Sequence, residues 1–516
     1  MAHTHSEARP IRLTLPASEE ATTRACLALV LLTALTVRLW IVATHTYIVF
    51  PDETFQYLEP AHRLVFGSGV ITWEFLDGIR SWFLPGIIAG VMWLVSLVDP
   101  DPQAYVLVLR LLCVLASLSV PFAGFQLAAR RFGPVPALIA GLLCALASEA
   151  VYFAPVIMTE PLATDAALLA IWFGDGAPDR PLAWRRLMTA GLMFGLASSL
   201  RYQYAPILCV IALLQHARSP RDLAIVAAGG IAVVVPTLGV LDAITWGAPF
   251  QSVWLNYIRN ATQGVSSAIG TEPWFFYGTY YLVAWGAAAG VLVGCAILGA
   301  IRLPVLAAVV LCTIGLHSLI PHKEPRFVFL ATACMPMLVG VGLGLLLQRV
   351  PRLRPTAVGA PIAAILAVAI SSYTAFTTYR NATPPDAWHR DRSMLQATAA
   401  ARIYPGACGL GIRTIPVYRS GGYTHWHRDL PIYAETWEQA QQLETSTFRL
   451  RLENRLGGRS VPQYPGAALA ANTDKFNLMI GEPNDGLPGF SKTSCYGRGS
   501  LDDPVFCLFT RPGGCQ

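Results

Sequence analysis

From residue 23 to residue 376 the chain alternates long apolar runs with short polar breaks. A helix that crosses a bilayer needs about 20 mainly apolar residues. On that measure the pattern predicts spans at 23–43, 104–129, 135–153, 161–174, 187–201, 203–216, 223–242, 278–300, 303–320, 327–347 and 357–376. The expected architecture is an all-α polytopic membrane domain of about eleven helices over residues 1–376. Beyond residue 376 the runs shorten and are broken by Gly and Pro, as in CGLGIRTIPVY and KFNLMIG. That pattern predicts a small α/β or β-rich extracytoplasmic domain over 377–516.

Basic residues collect on the cytoplasmic side of membrane proteins. Arg130 and Arg131, the Arg180/Arg185/Arg186 group, Arg218 and Arg221, Arg302, and the Arg349/Arg352/Arg354 group fall in alternate loops. The N-terminus is therefore expected inside and the C-terminal region outside. The apolar stretch 82–98 would invert that parity if it crossed the membrane. It is expected to lie at the outer surface or to re-enter. No small-residue cleavage site follows the first apolar run, so it is read as a retained helix rather than a signal peptide.

Composition agrees. Of 516 residues 54% are hydrophobic and only 13% charged, about half the charge of an average soluble chain, roughly 25%. The net charge is +6, almost all of it from Arg, with Lys only at 323, 475 and 492. No basic run of nucleic-acid-binding type occurs, so nucleic acid is not an expected partner. Seven cysteines fall in apolar spans, where a thiol acts as a small hydrophobe. Cys408, Cys495, Cys507 and Cys515 lie in the outer region, where disulfides are permitted and pairing cannot be read from sequence. No CxxC or HExxH spacing supports a metal site.

Three outer loops carry the polar chemistry: 44–103, 243–277 and 321–326. The first holds the adjacent acids Asp52 and Glu53, read as part of an extended loop in which neighbouring side chains diverge and take different tasks. One is expected to act as a general base on a hydroxyl and the other to orient that hydroxyl or bind the acceptor. Glu160, Arg201 and the run His322-Lys323-Glu324-Pro325-Arg326 stand at the same ends of spans. Each alone is as readily a solvated loop charge snorkelling to water. Together they point to one site in which cations hold a phosphate while a carboxylate works on a hydroxyl. The aromatics of these loops, Trp73, Trp82, Trp274, Phe275, Phe276, Tyr277, Tyr280 and Tyr281, are mostly expected in the interfacial belt, with a few free to stack on a sugar.

The stretches FPDETFQYLE, GVITWE, IRSWFLP and PHKEPRFVF, with WLNYIRN, GTEPWFFY and TIPVYRSGGYTHWHRDLPIY, resemble the dolichyl-phosphate-mannose-dependent mannosyltransferases of glycosyltransferase family 22. These are membrane enzymes of the GT-C fold, and the likeness is strongest to the branch adding the third mannose of the glycosylphosphatidylinositol (GPI) anchor. The resemblance implies Asp52 as general base with Glu53 assisting. It implies His322, Lys323 and Arg326, with Arg80 and Arg201, at the donor phosphate. Glu160, Trp73, Glu74, Trp274 and Tyr277 would face the acceptor sugar. It implies inversion of a lipid-linked mannose to an α-mannoside and no cofactor beyond the lipid donor. Glu272 and Phe275 stand where that family carries histidines around the tryptophan, and Pro325 follows the HKE run.

The Arg bias and compact loops suit a bacterial relative with its site facing the periplasm. In a eukaryote the site would face the lumen of the endoplasmic reticulum, and Asn260 and Asn381 would head glycosylation sequons. The competing reading is a multi-pass transporter or lipid-linked sugar flippase, for which Asp165 inside a span is the pointer. A transporter would be expected to show internal repeats meeting at mid-membrane, and none is visible.

Overall fold

A computed structural model describes residues 17–48, 50–176, 181–382, 387–414, 419–434, 469–500 and 503–515. Arg180 of the basic-loop series and Thr383 of the second sequon lie outside them, as does most of the polar N-terminal stretch. Helices occupy every expected span. Among the described residues six are long and apolar enough to cross a bilayer: Glu20–Thr44, Pro102–Phe132, Pro220–Thr245, Phe276–Arg302, Pro325–Leu347 and Thr356–Asn381. The others, Pro134–Leu146, Thr159–Gly174, Trp184–Leu200, Ala205–His216 and Pro304–Ser318, are shorter than the 30 Å hydrocarbon layer at 1.5 Å per residue.

Small residues let the helix backbones approach, as membrane packing requires when lipid is as apolar as the side chains. A Cβ on Gly299 would lie 2.1 Å from the Leu338 carbonyl, and one on Gly342 would lie 1.9 Å from that of Cys295. These two contacts lock Ala289–Arg302 against Phe329–Leu347.

The stretch 82–98 forms the helix Phe83–Ser96. It buries Leu84, Ile88 and Met92 and leaves Ile87, Trp93 and Leu94 outward. Its buried row packs on the helices Glu59–Phe66 and Pro102–Ser117. Its outward row is itself apolar, the composition of a surface that meets lipid rather than water.

Among its described residues the C-terminal region builds one five-stranded mixed sheet from β1 (Leu410–Ile412), β2 (Ile432–Ala434), β3 (Leu478–Gly481), β4 (Ser491–Tyr496) and β5 (Phe506–Thr510), in the order β2-β1-β3-β5-β4. β1 runs parallel to β2 and β3, and β5 runs antiparallel to β3 and β4. The apolar strings CGLGI and FNLMIG supply β1 and β3, buried along their whole length. The disulfides Cys408–Cys515 and Cys495–Cys507 use all four cysteines of this region. The core beneath the sheet is not purely local: Phe55 and Val70, from the first polar loop, pack in it with Met394, Ala397 and Trp426.

Candidate active site

The segment around Asp52 is helical, not extended as expected. Asp52 has φ −55° and ψ −36°, and Glu53–Leu58 continue in the wider π form before Glu59–Phe66 resumes as α-helix. The Glu59 N–H donates to the Thr54 carbonyl five residues back, which defines that wide turn. Adjacent side chains on a helix point about 100° apart, so Asp52 and Glu53 still diverge, for a different reason than a strand's alternation. π-turns inside helices recur at functional sites.

Asp52 lies at the centre of an ionic cluster. Its Oδ2 is 2.5 Å from Arg326 Nη1, and its Oδ1 accepts from the Gln56 amide one turn on. The same amide donates to Glu74 Oε1 at 2.9 Å. Arg326 Nε donates to Glu324 Oε2 at 2.7 Å and stands 4.0 Å from Glu160 Oε1. Glu160 in turn pairs with Arg201 Nη1 at 2.8 Å. Phe50 and Phe327 lie against the Arg326 guanidinium, centroids 4.1 and 5.4 Å away, and Phe327 and Tyr204 flank Arg201 at 5.2 and 5.6 Å. Planar cations over ring faces are held in orientation. Within this cluster Asp52 and Glu324 keep 22 and 24% of the side chain exposed, against 5% for Glu160.

The other expected residues take distinct places. Glu53 turns away from the cluster, buried, with its Oε1 accepting from the Ile157 amide at 3.2 Å. Lys323 is buried and donates to the carbonyls of Glu272 (2.9 Å), Ile320 (2.5 Å) and Pro321 (3.4 Å). His322 bridges the Gly270 carbonyl and Glu324 at 2.9 and 3.1 Å. The basic run is thus divided: His322 and Lys323 zip the third loop onto the second, while Arg326 reaches the first. Trp274 is 75% exposed and Tyr277 is fully buried in the membrane core.

Burial raises the Glu74 carboxyl above its ordinary range, against the pull of Arg80. Burial works against the Arg80 charge, but Tyr57, Glu74, Asp52 and Glu160 outweigh it and its pKa is raised. Arg80 lines a polar cavity of about 70 Å³ with Gln56, Tyr57, Arg201, Tyr202 and Asn256. On the other flank a groove of about 810 Å³ reaches Glu324, Pro325 and Arg326, walled by Trp40, Ile41, Phe50, Tyr152, Phe153 and Trp388. Among the described residues no group of His, Cys, Asp and Glu converges as a metal site would. Sequence reasoning missed Gln56 as the link between Asp52 and Glu74. Its position four residues after Asp52 is the signal, visible only once the segment is taken as helical.

Residues 29–408 match the model of the Alg9-like mannosyltransferase family. The chain belongs to that family. Among known proteins this mannosyltransferase is similar to GPI mannosyltransferase 3 of Yarrowia lipolytica, 25% identical over 75% of this chain and 73% of that one. It is likewise similar to GPI alpha-1,2-mannosyltransferase 3 of Danio rerio, 27% identical over 74% and 69%. It spans less, 61%, of GPI mannosyltransferase 3 of Trypanosoma brucei brucei. Among solved structures, ArnT from Cupriavidus metallidurans in the apo state superposes with a TM-score of 0.57 at 13% identity, covering 96% of this chain and 98% of that one. The same protein bound to undecaprenyl phosphate gives 0.54 at 14% identity, covering 93 and 97%. The mannosyltransferase therefore has the GT-C fold, and the transporter reading is not favoured.

Proposed function

We propose that this mannosyltransferase moves mannose from a polyprenyl-phosphate donor to a hydroxyl of a glycan or glycolipid at the outer membrane face, periplasmic or lumenal. The observation that carries the reading is the Asp52–Arg326 pair, whose arginine lines the large, mostly apolar groove. The groove suits a polyprenyl chain, and the arginine in its wall suits the phosphate. Asp52 takes the proton of the acceptor hydroxyl. The freed oxygen pair bonds to the anomeric carbon from the face opposite the lipid, and the carbon–oxygen bond to phosphate breaks with its electrons leaving on the phosphate. Inversion of a β-linked donor gives an α-mannoside. The lipid phosphate leaves as a stabilised anion, so this reading calls for no cofactor.

Arg80 and Arg201 line the polar cavity beside Gln56 and steady the charge that develops on the phosphate, with His322 and Lys323 holding the loop that presents Arg326. Glu160 orients Arg201, and Glu74 with Trp73 borders the acceptor side. Trp274 stands exposed on the second loop and contributes to the acceptor's approach, while Tyr277, buried in the core, supports that loop from within. Likeness to GPI mannosyltransferases supports a mannose-terminated glycolipid as acceptor. The test is transfer by purified protein from radiolabelled polyprenyl-phosphate mannose to a panel of mannose-terminated acceptors. Labelled product with wild type and none with Asp52→Asn supports the reading, whereas no transfer to any acceptor overturns it.

A further inference from the structure

Glu59 is fully buried one helical segment beyond Asp52, yet it is bonded across the molecule. Its Oε1 accepts from both the amide and the hydroxyl of Thr424, each at 2.6 Å, and its Oε2 accepts from the Val70 amide at 2.8 Å. Thr424 belongs to the short helix Gly422–Trp426 of the C-terminal domain. That helix is entered through Gly421 and Gly422, at φ 78° and 61°. A Cβ on Gly422 would fall 2.5 Å from the Glu59 carboxyl carbon, so the close approach needs glycine both for conformation and for space.

Neighbouring contacts join the same two bodies. Tyr105 donates to the Thr424 carbonyl at 2.6 Å, His62 and His427 share a bond of 2.9 Å, and Arg402 pairs with Asp101 at 3.0 Å. The Glu59 backbone, meanwhile, closes the π-turn on Thr54, and Phe55 within that turn packs in the C-terminal core. A π-turn holds one residue more than the α-turn it replaces and is favoured only where its surroundings impose it. Relaxing it to α-helix would rotate Asp52 by about 100° relative to Glu59 and take it off Arg326.

We propose that Glu59 is a positioning residue for transfer: its clasp on Thr424 couples docking of the C-terminal domain to the π-turn that aims Asp52. The inference rests on Asp52 being the base. The C-terminal domain is then part of the active site without touching substrate, and the chain's end sets the register of its beginning.

Thr424→Val removes the hydroxyl donor and keeps the amide, and Thr424→Ser keeps both. A lost hydrogen bond to a buried carboxylate corresponds to about a tenfold effect or more. Measured per folded, monodisperse enzyme, kcat is expected to fall about tenfold in Thr424→Val with the KM for donor nearly unchanged, and to return in Thr424→Ser. Hydrogen exchange of the peptide over residues 53–59 is expected to quicken in the Val variant alone. Unchanged exchange in Thr424→Val, or a normal kcat in material that is merely less heat-stable, overturns the coupling. If Thr424→Val does not fold, Glu59→Gln, which sets an amide against one of the donors, carries the same two measurements. Because exchange is read without substrate, failure of the coupling is separable from failure of Asp52 as base, which Asp52→Asn reports.

Discussion

The carboxylate of Asp52 lies 2.5 Å from the guanidinium of Arg326, a residue from the opposite end of the membrane domain. The pairing does more than neutralise charge. It holds one acid oxygen on Arg326, which itself lines the apolar groove, and leaves the other on Gln56. An unpaired carboxylate would have to be held by backbone alone, whereas this one is fixed by two side chains from different elements.

Asp52→Asn keeps the shape and removes the proton acceptor. Positioned general bases contribute about 10² to 10⁴ in rate, so kcat is expected to fall by at least about a hundredfold with the protein folded and inserted. Transfer kinetics alongside size-exclusion profiles of the same preparation check it, and wild-type kcat would remove Asp52 from the role of base.

Glu160 and Arg201 form a buried pair at 2.8 Å. Removing one partner of a buried pair costs up to about 3–5 kcal/mol, of which the Arg326 guanidinium, 4.0 Å from Glu160, offsets a part. Arg201→Met is therefore expected to lower thermal stability sharply, and the double variant Arg201→Met with Glu160→Gln to recover much of it while activity stays low. Thermal melts and transfer rates on the single and double variants make the comparison.

Lys323 offers its ammonium to three loop carbonyls. Lys323→Ala is expected to loosen the junction of the second and third loops and lower the melting temperature, with the KM for the lipid donor changing by no more than about threefold, less than the loss of a charge-assisted phosphate contact. A large, selective rise in donor KM with unaltered stability would put Lys323 on the phosphate instead.

Acid should release the C-terminal domain. Burial pushes the imidazoles of His62 and His425 down to about 3 from an ordinary 6.5, and also lowers that of His427. Arg110 and Arg402 face His425, while Arg402 and Asp101 face His427. The docked state therefore holds neutral rings, and the undocked chain takes up protons first as pH falls. Docking stability is complete above pH 6.5 and is lost progressively from there toward pH 3. Glu59 acts in the opposite sense. Burial pushes it up to about 6 from 4.5, so the docked state gains a proton earlier and offsets part of the loss between those values. Three imidazoles outweigh one carboxylate. Fluorescence of the buried Trp426 and limited proteolysis, each followed from pH 7 to pH 4.5, should report opening on the acid side. A domain equally protected at both ends of that range would contradict the sign.

Much of this was legible in the chain alone. Apolar runs specify membrane helices because a buried backbone in lipid must satisfy its own hydrogen bonds, and each expected run is helical. Four cysteines outside the spans marked the disulfide-bonded domain. The paired acids and the HKE-x-R run picked out two of the segments that the structure brings together through Asp52 and Arg326.

The conformation at Asp52 was not legible, because Pro51 and the polar, aromatic run after it read as a loop until Phe55 is seen anchored in a core built mostly from residues after 390. Nor could spacing divide His322 and Lys323 from Arg326. Their partners are loop carbonyls on one side and Asp52 on the other, and which donor meets which acceptor is decided by how distant segments pack. The sequence by itself determined the membrane architecture and the kinds of group at the site, since those follow from local hydropathy and chemistry. Tertiary structure alone decided that Asp52 meets Arg326 and that Glu59 meets Thr424, since contacts between segments so far apart in the chain carry no local signal.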